Sequence, residues 1–258
     1  MGILNVTPDS FSDGGLRQDT TNAIEAGLAM VAEGADIIDV GGESTRPGAA
    51  AVPLEVEQAR VLPVIEALAA DGVCVSVDTR NAATMRAALA AGARIVNDVS
   101  ALAHDALSAK VVVDYACPVV LMHMRGTPET MNTHADYTDV VAEVRAELAA
   151  RIDAALRAGI RSEQIAVDPG IGFAKRPAQS RTLLRELPAL ASLGYPLLVG
   201  LSRKSVIGAL TEEPQAARRL GGSLAAGLFA VQQGASILRV HDVRETAQAL
   251  RVWAALAG

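Results

Sequence analysis

The chain is poor in aromatic residues, in cysteine and in surplus positive charge, and it has no long uninterrupted apolar run. Phe, Tyr and Trp make up only 3% of its 258 residues, so any aromatic side chain that falls in a loop stands out. The two cysteines, Cys74 and Cys117, lie far apart without Cys-x-x-Cys or Cys/His spacing. Each sits beside an apolar run, which argues against a disulfide framework or a zinc motif and reads as a pair of buried, reduced thiols. Acidic residues outnumber basic ones 29 to 23, for a net charge of -6, and no run of Lys and Arg occurs. A nucleic-acid backbone needs a basic surface, so such a partner is not expected and any anion site must be local. Gly, Arg or Glu interrupts every apolar stretch before the roughly 20 residues that a membrane span requires. The start shows no charged segment followed by an apolar core. A cytoplasmic enzyme or binding protein is the expectation.

What the chain does have is repetition. Short apolar runs recur from end to end: "ILNV" at 3–6, "IIDV" at 37–40, "VCVSV" at 73–77, "IVNDV" at 95–99, "VVLM" at 119–122, "IAV" at 165–167, "LLVG" at 197–200 and "ILRV" at 237–240. Between them lie Ala- and Leu-rich segments of helical period, such as Ile24, Leu28 and Val31 behind the capping candidates Asp19 to Thr21, and Leu220, Leu224, Leu228 and Val231. Gly34, Gly92 and Gly234, and with them Gly72, Gly159 and Gly194, stand between a helical segment and the next strand, where a helix ends by a left-handed turn. Strands that read as continuous apolar runs belong to a parallel sheet covered on both faces. Eight strand–helix units over residues 1–258 fit a single (β/α)8 (TIM) barrel better than a six-stranded doubly wound sheet, and no composition break marks a second domain.

In that fold the ligand site lies at the carboxyl ends of the strands, and polar residues gather there. Asn5 ends the first run and "GGESTRPG" follows the second. Asp78 ends the third, Asn97 and Asp98 the fourth, and "MHMRGTP" follows the fifth. "DPGIGFAK" follows the sixth, "GLSRKS" the seventh, and Arg239 and His241 close the eighth. One such Asp is often only a helix cap, but eight polar ends together imply a site. Asp78, Asn97 and Asp168 in a narrow mouth call for a ligand rich in N–H donors, such as a planar aminoheterocycle. Arg46, Arg239 and His241 offer donors and charge to phosphate oxygens. Asn5 is a candidate oxygen ligand for a hard cation such as Mg2+. Phe11 and Phe173 fall in loops at the same end, where a flat aromatic substrate could meet them, and Lys204 could serve the ring ligand or an anion.

"NVTPDSFSDGG", "GGESTRPG", "NDVSAL", "DPGIGF", "GLSRKS" and "RVHDV" together resemble dihydropteroate synthase, from the first residues to about Val243. Members of that family usually carry a short leader before this first strand, a difference that bears on closure of the barrel bottom more than on chemistry. The resemblance implies that 6-hydroxymethyl-7,8-dihydropterin diphosphate is joined to 4-aminobenzoate, giving 7,8-dihydropteroate, a folate precursor, and pyrophosphate. It places the pterin against Asp78, Asn97, Met122, Asp168, Lys204 and Arg239. The diphosphate falls to Asn5, Thr45, Arg46, Arg239 and His241, with Mg2+ on Asn5. The aminobenzoate falls to Phe11, Thr45, Pro47, Phe173 and Ser202 or nearby backbone donors, where sulfonamides compete in the family.

The family's displacement is dissociative, which asks for charge stabilisation at the leaving group and shelter from water rather than a strong base. Asp13, Arg46, Lys204, Arg239 and His241 are the residues the resemblance assigns to it, with Asp13 facing the cation. His123 is expected to be structural, and His104 and His134 solvated. The family is usually dimeric, and the apolar segments 214–233 and 242–257 are candidates for a homodimer surface. A cobalamin-dependent pterin methyltransferase would not need "TPDSFSDGG" or "SRKS", and a paralogue without activity would be expected to have altered Asp13, Arg46 or Lys204.

Overall fold

The computed structural model describes residues 1–7, 16–44, 48–49 and 52–257. Five of the candidate site residues, Phe11, Asp13, Thr45, Arg46 and Pro47, therefore lie outside the described residues. All eight apolar runs form parallel strands: β1 (Gly2–Asn5), β2 (Ile38–Gly41), β3 (Val75–Asp78), β4 (Ile95–Asp98), β5 (Val119–Met122), β6 (Ile165–Asp168), β7 (Leu198–Val199) and β8 (Ile237–Leu238). The first six pair in sequence order, as do β7 and β8. Single parallel bridges, Val167 to Leu197 and Gly2 to Val240, join the two sets into a ring. Backbone bonds from Val167 N to Pro196 O (2.9 Å) and from Ile3 N to Val240 O (2.9 Å) complete these seams. The eight-stranded barrel expected from the sequence is what forms.

Helices α1 (Leu16–Ala32), α2 (Leu54–Ala70), α3 (Ala82–Ala90), α4 (Ser108–Tyr115), α5 (Val140–Arg157), α6 (Pro177–Arg185), α7 (Leu187–Ala191), α8 (Ser205–Thr211), α9 (Leu220–Gln232) and α10 (Val243–Ala257) lie between and after the strands. In α5, Asp139 caps the helix by accepting from Val141 N and Ala142 N, and Glu143 accepts in return from Asp139 N. Val140, Val144, Leu148, Ile152 and Ala155 then form its buried stripe, each large member stabilising the fold by about 1.5–3 kcal/mol. All six glycines expected at helix-to-strand joints have positive φ, between 80° and 110°, a region that costs a side chain with Cβ more than it costs glycine.

Three local expectations need correction. Helix α1 begins at Leu16, so Asp19, Thr20 and Thr21 lie in its first turns rather than ahead of them, where the Asp19 carboxylate still complements the helix dipole. The faces of α1 and α9 against the barrel are made by small residues, Ala23 and Gly27 in one and Ser223, Gly227 and Ala230 in the other. Close approach explains this, since a Cβ on Gly27 would come within 2.9 Å of Leu68. The larger Ile24, Leu28, Leu220, Leu224, Leu228 and Val231 flank those faces half-buried, and Val31 is exposed. Cys117 is buried as expected, but Cys74 is only half-buried; both are free thiols.

Candidate active site

Strand register lines up the polar ends. Asn5 and Asp78 both stand beside Gly41, Asp78 beside Asn97, and Met122 beside Asp168. Gly41 lies between two such ends, where a Cβ would be in van der Waals contact with the Asp78 side chain at 3.4 Å. Arg239, following β8, reaches across the mouth to two strands. Its Nε donates to Asp39 Oδ2 at 2.6 Å and its Nη2 to Asp78 Oδ2 at 2.7 Å. Asn97 Nδ2 donates to the same Asp39 oxygen at 2.9 Å.

Two carboxylates thus share one guanidinium in a site where Asp39 is fully buried and Asp78 is 8% exposed. Burial raises the Asp78 carboxyl to about 7 against the opposing pull of Arg239. Burial also works against the Arg239 charge, but Asp39 and Asp78 outweigh it and hold the guanidinium above its ordinary value. Asp39 Oδ1 is buried without a hydrogen-bond partner among the described residues.

The β6–α6 loop forms a second wall. Asp168, buried at the end of β6, accepts from Gly170 N at 2.7 Å through one oxygen. Its burial raises its pKa, opposed first by Lys204. Lys204 Nζ donates to Ile171 O at 2.6 Å and lies 4.7 Å from the centre of the Phe173 ring. Burial lowers this ammonium to about 8, with Asp168 partly offsetting the loss. Gly200 packs beside it, where a Cβ would make only ordinary contact, 3.7 Å from Lys204 Nζ and 3.8 Å from Arg239 Cβ. The neighbouring Arg203 is bound through its guanidinium to Asp242, which leaves Lys204 as the cation of the "SRKS" turn that meets the β6–α6 loop.

His241 and Ser202 form a pair. The Ser202 hydroxyl oxygen accepts from His241 N at 3.2 Å and stands 3.1 Å from His241 Nδ1. The hydroxyl can donate to Nδ1 or accept from it, so either ring tautomer is compatible with this contact. Burial and the nearby Arg203 and Arg239 lower His241 to about 4. It therefore offers a neutral N–H rather than the positive charge expected from sequence. Asn5 is half-buried at the end of β1, the strand next to β8. Met122 is buried, 4% exposed.

Asp98, by contrast, is spent on structure. It accepts from Ser100 N, Ser100 Oγ and Leu102 N and supports the left-handed Ala101 and Leu102. His104 and His134 are exposed, as expected. His123 is buried between Glu147, 2.9 Å from Nε2, and Lys175, 2.8 Å from Nδ1, which agrees with its expected structural place. Two residues were missed from sequence, Asp39 and Lys175. The available signal was the same for both: a charged residue inside or directly after an otherwise apolar segment.

Residues 1–241 match the pterin binding enzyme family. The dihydropteroate synthase of Synechocystis sp. is 48% identical over 257 residues, covering 99% of this chain and 89% of that protein. Among solved structures, the dihydropteroate synthase of Xanthomonas albilineans with 4-aminobenzoic acid superposes with a TM-score of 0.95 at 51% identity, covering 100% of this chain and 92% of the other. The same organism's enzyme in complex with 7,8-dihydropteroate gives a TM-score of 0.91 at 49% identity, with 100% and 93% covered.

Proposed function

This chain belongs to the dihydropteroate synthases of the pterin-binding enzyme family, and we propose that its barrel mouth, walled by Asp78, Asn97, Met122, Asp168, Lys204 and Arg239, is the pterin site. The reaction is the condensation of 6-hydroxymethyl-7,8-dihydropterin diphosphate with 4-aminobenzoate to 7,8-dihydropteroate and pyrophosphate, in folate biosynthesis. One observation carries the assignment of the site: Asp78, Asn97 and Asp168, all buried at strand ends, bring acceptor atoms to one mouth beside Arg239 and Lys204. The 2-amino and ring N–H groups of an aminopterin are donors of the kind these acceptors bind.

The diphosphate lies against His241, Arg239 and Asn5, together with Thr45 and Arg46, which lie outside the described residues. Arg239 uses Nε and Nη2 on the two aspartates and keeps Nη1 for the anion. Ser202 holds the His241 ring in place. Phe173, with Phe11 and Pro47 outside the described residues, borders the aminobenzoate, where sulfonamides compete. Fixed donors stabilise the departing pyrophosphate, and the aniline nitrogen captures the cationic methylene left behind. Asp13, also outside the described residues, faces that cation.

Among the described residues no three His, Cys, Asp or Glu side chains converge on a point. The Asn5 amide is a single hard donor, which suits Mg2+ that keeps waters and substrate phosphates as its other ligands. When bound, Mg2+ would neutralise charge on the leaving diphosphate. A homodimer is supported by exposed Phe229 on α9 and by Val252 and Leu256 on α10, with Leu256 82% exposed; sedimentation at micromolar concentration reads it. A cytoplasmic place is supported by two free thiols, and no helix of the described residues is long and apolar enough to cross a membrane.

The test is purified protein with the pterin diphosphate, labelled 4-aminobenzoate and Mg2+, run against a chelator control. Labelled pteroate that disappears with chelator is the expected result; none above background sinks the assignment.

A further inference from the structure

Lys175 is 7% exposed, and its ammonium is held by three acceptors. Nζ lies 3.1 Å from Gly170 O, 2.9 Å from Phe173 O and 2.8 Å from His123 Nδ1, with His123 O farther off at 3.4 Å. An ammonium has three protons and no lone pair, so the three nearer contacts use it fully. His123 Nδ1 must then be the unprotonated nitrogen, and Nε2–H donates to Glu147 Oε2. Glu147 is anchored in turn by Arg125.

The loop wrapped around this ammonium has no slack. Gly170 has φ of 63°, and a Cβ on it would fall 2.0 Å from His123 O, so the loop is pressed against the end of β5. His123 N donates to Asp168 O at 2.9 Å, tying the same two strands below. Between the two carbonyls that Lys175 holds sits Ile171, whose own carbonyl receives Lys204 Nζ, and Phe173 also supplies the ring beneath Lys204. Other charged groups near Lys175 are Asp168, Lys204, Glu147 and Arg125.

We propose that Lys175 is a positioning residue for the pterin site: by clamping the Gly170 and Phe173 carbonyls it shapes the β6–α6 loop into the seat on which Lys204 rests. The inference rests on the reading of the mouth as a pterin site. Burial brings the Lys175 ammonium down to about 7, close enough to neutrality that the clamp is a costly arrangement to keep without a purpose.

A double-mutant cycle tests it. Lys175→Met keeps bulk and removes every donor, so two buried carbonyls lose their partner. Expected is a fall of about 30-fold in kcat/KM for the pterin diphosphate. Lys175→Met combined with Lys204→Ala should then be no worse than Lys204→Ala alone, because the seat has no occupant. Losses that multiply, or a single-variant fall under about threefold, overturn the proposal. If Lys175→Met does not fold, His123→Gln, which removes one of the three acceptors, decides by the same two readouts, with about fivefold expected. Wild-type turnover alone tests the reading of the site, and ratios between variants test the clamp.

Discussion

Two buried acidic clusters lie within the same barrel, and they are built on opposite principles. Glu57 on α2 is 1% exposed and has only neutral donors: Thr79 Oγ1 at 2.6 Å on one oxygen, Asn81 Nδ2 at 2.9 Å and Thr84 Oγ1 at 2.6 Å on the other. Both oxygens are satisfied, and the knot ties α2 to the end of β3 and the start of α3. Asp39, equally buried, shares a cation with Asp78 and leaves one oxygen without a partner. A buried carboxylate whose every lone pair is met by the protein has finished its work on folding. One that shares its cation with a second carboxylate at the mouth stays coupled to what that cation binds, and the difference is visible only when each hydrogen bond is counted.

The largest effect that would break this comparison comes from the shared cation. Arg239→Met leaves two buried carboxylates without their cation, and kcat/KM for the pterin diphosphate should fall about a thousandfold, with a lower melting temperature. Initial rates and a thermal melt measure both, and a loss under tenfold would remove the cluster from the site. Glu57→Leu should do the reverse. Urea unfolding should show a loss of about 3 kcal/mol, from donors left unmet, while kcat/KM of the folded protein stays within about threefold. A comparable collapse in turnover would erase the distinction between the clusters.

The smallest effect concerns His123, which sits between these extremes, fully bonded yet coupled to the loop of the site. Burial lowers it to about 4, below the 6.5 of an unfolded histidine. As pH falls from 7 towards 4 the unfolded chain takes up this proton before the native one, so native stability drops over that window. His123→Gln has no such proton. The advantage in melting temperature of wild type over this variant should therefore shrink by a few degrees between pH 7 and pH 5. An advantage that grows on acidification would contradict the sign.

Much of the site was legible because a barrel strand has only one end at which chemistry is done. Asp78, Asn97, Asp168 and Arg239 stand where apolar runs stop, and that position distinguishes them from ordinary surface polar residues. Asp39 was only half legible: a charge inside "IIDV" marks it, but nothing local says whether such a residue points at a cation or at a turn. Glu57 reads in sequence like any helical glutamate facing water. Its burial is decided by Thr79 and Thr84, 22 and 27 residues away. His241 was expected to carry charge, but burial, with Arg203 and Arg239, lowers it, and these meet it only in the folded mouth.

The sequence by itself determined the eight strands, the glycine joints, the barrel and the end of it that bears the polar groups, because all of these follow from local periodicity and from residues that break it. Only the tertiary structure decided which carboxylates are satisfied and which are not, that Arg239 joins Asp39 to Asp78, and that Lys175 lies under the loop that seats Lys204. Those facts depend on charges that are far apart in the chain and share one low-dielectric space, where a hydrogen bond present or absent changes what each group can do.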